Sequence, residues 1–331
     1  MKQSKLKRFL RGRSFLILAL IIVMLLIALI VAPQQYTLAN LKQILNNLSY
    51  MLIIGTGVAC LMMCGGIDFA TSAHATMSMV VFALLLTAWP KVPWVVILII
   101  MLAFGSCAGA IHAFLTEKLH MMAFICTIGM KSIWSGIALW STEGNIVAVL
   151  RPNFTNIATY YVFGFIPVWF IFALVVCLIY NFIMIRTKQG RSVLMVGGNA
   201  AAARLAGINP VKVRSIMFIN NGFLAALGAM VWCSQQKQGS PSGLISQGPE
   251  MTALTAVMLG GVAFGGGSGS LGGAYLGIVL VQIVAYALQA MNTPVWLLTL
   301  INGSLLVIAL TIDRFANKKA QQAIGMPGMA R

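Results

Sequence analysis

The chain has 331 residues, 60% hydrophobic and 8% charged, with a mean hydropathy of +0.93. A soluble domain carries about 25% charged residues, so this composition excludes one and points to an integral membrane protein. The net charge of +17 does not signal nucleic acid: the cations gather at the N-terminus, in one central loop and in the tail, the positive-inside pattern, with anionic lipid as a further partner.

Basic residues 1–14 precede an apolar run from Phe15 to Ala32. That run is too long for a signal-peptide core and no small-residue cleavage site follows, so it reads as a first span. At about 20 apolar residues per crossing, the pattern predicts an all-α polytopic protein of about ten transmembrane helices. They fall near 15–32, 47–65, 69–88, 94–116, 122–142, 164–185, 214–234, 250–264, 271–291 and 294–312. The membrane domain is thus 15–312, followed by a basic tail at 313–331. An even count puts both basic termini on one side, which their charge makes the cytoplasm, and places Lys42, Lys91, Arg151 and Lys237 outside. Trp89, Pro90 and Trp94 mark an interface. The outer loops 143–163 and 235–249 are long enough to fold back and to meet a soluble partner.

Glycine is concentrated at Gly55–Gly66 and Gly260–Gly277, where broken or short helices and close helix approach are expected. Met63–Phe69 resembles Met258–Phe264, a likeness that duplication or chance would equally produce. Six cysteines lie in or beside apolar segments. Cys60 and Cys64 have i,i+4 spacing but no His or acidic partner at ligand spacing, so free buried thiols are expected and no metal.

The central loop, 186–213, is expected to be structured. Arg186, Lys188, Arg191, Arg204, Lys212 and Arg214 make it strongly basic. Asn199, after Gly198, suits an N-cap and Ala200–Leu205 are strong helix formers. Gly207 suits the left-handed residue that ends a helix, and Pro210 the first turn of the next. A short helix capped at both ends is a docking surface more than a tether.

Only five acidic residues exist. Asp68, after Gly65-Gly66, is expected to cap a helix starting near Phe69 by accepting from the Thr71 and Ser72 amides. Lys131 lies inside the fifth span and either snorkels or faces a polar cavity. His74 and His112 are too far apart in sequence to be proposed as a pair. There is no Walker loop, HExxH or GxSxG, so the chain is not read as an enzyme.

Four ordered motifs carry a resemblance: GGIDFATSA at Gly65–Ala73, FICTIGM at Phe124–Met130, GGNAAAARLAGI at Gly197–Ile208 and AVMLGGVAFGGGSGSLGG at Ala256–Gly273. Together, over about residues 35–313, they resemble the permease subunit of ribose-type ATP-binding cassette importers, a type II importer architecture. Relatives carry monosaccharides or autoinducer-2. The resemblance implies a second permease copy (identical or not), a cytoplasmic ATPase holding ATP and Mg, and a periplasmic solute-binding protein, with no cofactor on this chain. It makes the segment with Gly198, Asn199, Arg204 and Gly207 the coupling helix that docks on the ATPase. The chain departs from the family pattern at Asp68-Phe69-Ala70-Thr71-Ser72, at Ala200 and at Pro249-Glu250-Met251. Residues expected along the translocation path are Asp68, Ser72, His74, Thr127, Gly260 and Gly261. The expected function is ATP-driven import of a small polyhydroxylated solute. The alternative is an ion-coupled carrier using Asp68 and Lys131.

Overall fold

The computed structural model describes residues 37–291, plus isolated positions at 22, 23, 26 and between 293 and 311. Both basic termini and most of the predicted spans 15–32 and 294–312 lie outside the described residues. The chain order begins with α1 (Leu38–Met63), α2 (Thr71–Ala88), α3 (Trp94–Ala113, prolonged by a π-turn at Phe114–Lys118), α4 (Ala123–Thr142) and α5 (Val168–Arg186). Two short helices follow, α6 (Lys188–Gly198) and α7 (Ala200–Leu205). Then come α8 (Pro210–Gln236), α9 (Pro249–Leu259) and α10 (Leu271–Ala290).

Among the described residues, seven helices are long and apolar enough to cross a bilayer: all but α6, α7 and α9. They account for predicted spans two to seven and nine. The eighth requires correction. α9 has 11 residues, so it spans only about half of a 30 Å hydrocarbon layer at about 1.5 Å per residue. The chain before it folds back into the bundle instead: Leu244 is fully buried and Gly239 lies against Ala83 of α2. The apolar residues Val262, Ala263 and Phe264 continue past the Gly261 turn, so hydropathy alone does not show where this helix ends.

α1 and α8 form the centre, packed on each other and buried along most of their length. α2 and α3 lie against α8; α5, α9 and α10 lie against α1; α4 packs on α2. Small residues set a close crossing of α3 on α8. Gly105 and Gly109 of α3 meet Gly222 and the Phe218 carbonyl of α8 backbone to backbone, so a Cβ at any of the three glycines would collide with the opposite chain. In lipid, where apolar burial does not drive helices together, such close approach supplies the contact energy.

The cations assigned to the outer side gather at one end of the bundle. β1 (Val147–Ala148) and β4 (Gln238–Gly239) pair antiparallel and join the two long loops, while β2 (Tyr161–Val162) and β3 (Ile166–Pro167) form a small hairpin. Arg151 donates to the carbonyls of Trp89 and Val92, Lys42 sits 4.5 Å over the Tyr161 ring, and Val149 donates to the Lys237 carbonyl.

At the opposite end, α1 and α9 stop in the same way. Gly65 N–H bonds Met62 O and Gly66 N–H bonds Leu61 O; Gly261 N–H bonds Met258 O and Val262 N–H bonds Val257 O. Gly65 (φ +80°) and Gly261 (φ +96°) each take the left-handed position of this helix-ending turn, which glycine adopts without a Cβ penalty. The likeness of the two segments therefore holds as a turn, with Gly65 matching Gly261, one residue out of the register read from sequence.

Candidate functional site

The short helix α7 is capped as its sequence implies. Asn199 Oδ1 accepts from Ala202 N at 2.9 Å, and Asn209 Oδ1 accepts from Lys212 N at 3.2 Å to open α8. Gly207, at φ +80°, ends α7, and Ile208 N–H reaches back to Ala203 O at 3.0 Å. Nothing packs where a Gly207 Cβ would stand. Only Ala203 of α7 is buried; Arg204 is exposed and Leu205 is 91% exposed. Arg204, Gly207, Ile208, Asn209 and Val211 line a shallow groove beside it. An uncovered leucine next to an uncovered arginine, on a helix pinned at both ends, is a built contact surface.

Behind that surface lies a junction of three glycine turns. The end of α6 (Gly197, Gly198) touches the turn after α1 (Gly65) and the turn after α9 (Gly266, Gly267). Gly267 N–H donates to Met63 O at 2.9 Å. A Cβ on Gly197 would collide with Met63 O and Gly267 N, and one on Gly266 would stand 2.5 Å from Gly65 N. Gly198 is less confined, since its Cβ would lie 3.7 Å from Gly267 Cα. Arg214 adds a fourth tie: Nε donates to Cys64 O at 3.3 Å and Nη1 lies 3.8 Å from Glu117. Backbone meets backbone here with no flexible side chain between, so the end of α6, from which α7 continues, is fixed against the turns after α1 and α9.

Asp68 sits just above the junction, fully enclosed. Its expected role is corrected: Ala70 occupies the N-cap of α2, and Asp68 Oδ1 accepts from Ala70 N at 2.8 Å rather than from Thr71 or Ser72. Three long-range groups claim the other oxygen. Oδ2 lies 3.0 Å from His112 Nδ1, 3.1 Å from Asn221 Nδ2 and 3.4 Å from His74 Nε2. His74 and His112, not paired on sequence, stack edge to face at 5.4 Å. Trp134 Nε1 donates to His112 Nε2 at 3.0 Å. An indole nitrogen can only donate, so His112 carries its hydrogen on Nδ1 and gives it to Asp68. Asp68, His74 and His112 bring one ligand atom each within 4.8 Å of one another. The donor set nevertheless fits a hydrogen-bonded knot better than a metal cage, because Trp134 keeps His112 Nδ1 protonated.

Thr127 joins the knot by accepting from Phe69 N at 3.1 Å. Ser72 is buried with its hydroxyl unpartnered among the described residues, as is His74 Nδ1, while His74 Nε2 has its 3.4 Å approach to Asp68. Gly260 and Gly261 lie elsewhere: a Gly260 Cβ would strike the Gly273 carbonyl, so Gly260 and Gly273 set the crossing of α9 on α10, while Gly261 makes the turn that ends α9.

The family described as "Branched-chain amino acid transport system / permease component" matches residues 40–310. The chain belongs to this permease family. Among curated relatives, it is 27% identical to the ribose import permease protein of Haemophilus influenzae, over 93% of this chain and 94% of the relative. It is 29% identical to the D-allose transport system permease protein of Escherichia coli, over 92% of each chain. It is 27% identical to the autoinducer 2 import system permease protein of Photorhabdus luminescens, over 94% of each. No solved structure matches.

Two features of this permease escaped the sequence reading. Lys131 neither snorkels nor joins Asp68: its Nζ lies 2.6 Å from Glu250 Oε1, on the first turn of α9. Gly197 and Gly267 outrank Gly198 in confinement, and only the meeting of three distant turns reveals it. The six cysteines are free thiols, five of them buried as expected and Cys107 exposed on α3.

Proposed function

We propose that this chain is the membrane subunit of an ATP-binding cassette importer for a small polyhydroxylated solute such as a monosaccharide, with ATP and Mg held by partner ATPase chains. The observation that carries the reading is α7, a capped helix with Leu205 bare to 91%, which follows directly on the end of α6 where Gly197 and Gly198 are braced on the turns after α1 and α9. A cytoplasmic ATPase pushing on such a rod moves the bundle without any charge crossing the lipid. The gathering of Lys42, Arg151 and Lys237 at the far end supports an orientation with the coupling segment and both termini cytoplasmic. The joined loops 143–167 and 237–248 would receive a solute-binding protein, and a second permease subunit, identical or not, would complete the passage.

The test is reconstitution in proteoliposomes. The permease with its ATPase and binding protein should accumulate labelled D-ribose, D-allose or L-arabinose only with ATP present. Solute movement by the permease alone along an ion gradient would sink the reading and restore the ion-coupled alternative.

A further inference from the structure

Three helices leave a face uncovered on the rim, and one differs in kind. Apart from Arg186 at its end and the half-exposed Asn181, the bare residues of α5 are hydrocarbon: Ile171, Leu174, Val175, Leu178, Ile179 and Phe182. Those of α4 alternate hydrocarbon (Ile125, Ile133, Leu139, Trp140) with Gly129, Ser132 and Gly136, with Ser135 half-exposed and open space where the two glycines' Cβ atoms would be. Lys131, next to Ser132 in the chain but turned towards the bundle, has a side chain 32% exposed. It lies about 12 Å from the start of α4 and about 17 Å from its end at 1.5 Å per residue. A lysine at that depth does not reach an interface, and its ammonium is tied sideways to Glu250 at 2.6 Å. An ammonium part-open at mid-membrane faces water or a polar cavity, not lipid tails.

Glu250 supplies the second, independent observation. Its side chain is 1% exposed, and Oε2 has no hydrogen-bond partner among the described residues. A buried carboxylate oxygen left empty is costly unless something fills it during the working cycle. Lys131 Nζ makes one hydrogen bond among the described residues and keeps two N–H groups. A donor and a vacant acceptor thus stand side by side, the complement of two adjacent hydroxyls, each able to give one hydrogen bond and take another.

We propose that Lys131 and Glu250 are solute-contacting residues on the wall of the translocation passage, and that the Gly129–Ser132–Gly136 face of α4 lines that passage. This rests on the permease reading and adds to it the residues that select for adjacent hydroxyls.

The test has two arms on the complete importer in proteoliposomes. The first does not depend on the solute. With Cys107 replaced by Ser, Ser132→Cys and Gly136→Cys should react with a charged, membrane-impermeant methanethiosulfonate in at least one nucleotide state, while Leu178→Cys on α5 should not. Equal protection of all three in every state overturns the passage assignment. The second arm measures uptake of tritiated D-ribose and D-allose. Lys131→Met, and Lys131→Met with Glu250→Met, should keep the wild-type melting temperature and lose uptake at least tenfold; Lys131→Arg should stay within about threefold. The exchange Lys131→Glu with Glu250→Lys should keep stability without uptake. Wild-type uptake by the double-methionine or exchange variant reduces the pair to a structural bridge and overturns the proposal. If the wild-type importer hydrolyses ATP but moves neither sugar, the polyhydroxylated-solute reading falls, and with it the hydroxyl assignment, while the labelling arm still decides where the passage runs.

Discussion

Replacing Gly197 by alanine separates coupling from folding most cleanly. The added methyl would collide with Met63 O and Gly267 N, at separations that real Cβ atoms essentially never show. Reaching the optimum of about 3.5 Å requires roughly 1 Å of displacement at the glycine junction. That displacement breaks the Gly267 N–H to Met63 O bond of 2.9 Å, worth about 0.5–1.5 kcal/mol. Overpacking adds about 1–3 kcal/mol. At about 1.4 kcal/mol per factor of ten, the joined arrangement is disfavoured on the order of 100-fold. The helix itself does not suffer, since alanine is a better helix former than glycine. In proteoliposomes holding the whole importer, sugar accumulated per ATP hydrolysed should fall at least tenfold while hydrolysis continues. Gly198→Ala is the control: its methyl meets Gly267 Cα at 3.7 Å, an ordinary contact, and should leave the ratio within about twofold. Wild-type coupling in Gly197→Ala, or equal losses in both variants, would refute the mechanical reading of the junction.

Gly207→Val forces a β-branched residue to φ +80°, at a cost of roughly 1–2 kcal/mol or more; the protein should still reach the membrane but co-purify poorly with its ATPase, and undiminished co-purification would count against α7 as the docking element. Asp68→Ala leaves Ala70 N, His112 Nδ1 and Asn221 Nδ2 without their acceptor; at about 1–3 kcal/mol for each buried donor the loss is several kcal/mol, visible as a large drop in melting temperature in detergent. A melting temperature within about 2 °C of wild type would mean that the knot does not hold the bundle. Arg214→Ala removes the bond to Cys64 O and the 3.8 Å approach to Glu117; because the pair is partly exposed, only about 1 kcal/mol is expected, measured as a shift of a few degrees in the same melt.

The seven membrane helices and the short capped helix α7 are legible in the chain because each signal is local. Whether a stretch crosses lipid depends on the transfer of its own consecutive side chains, and Asn199, Gly207 and Pro210 mark their helix ends through backbone geometry a few residues long. The failures share the opposite cause. Asp68 meets His112 from 44 positions away and Asn221 from 153, and Lys131 meets Glu250 from 119. No periodicity encodes which of a few scarce polar groups will share one low-dielectric interior. α9 was misread as a full span because its short length is set by the loop that folds in before it, not by its own composition. The confinement of Gly197 arises only where three separate turns arrive at one point. Sequence thus determined what each segment is, and packing across the bundle decided which of them touch, because burying a polar group in a membrane leaves it only the partners that distant helices bring.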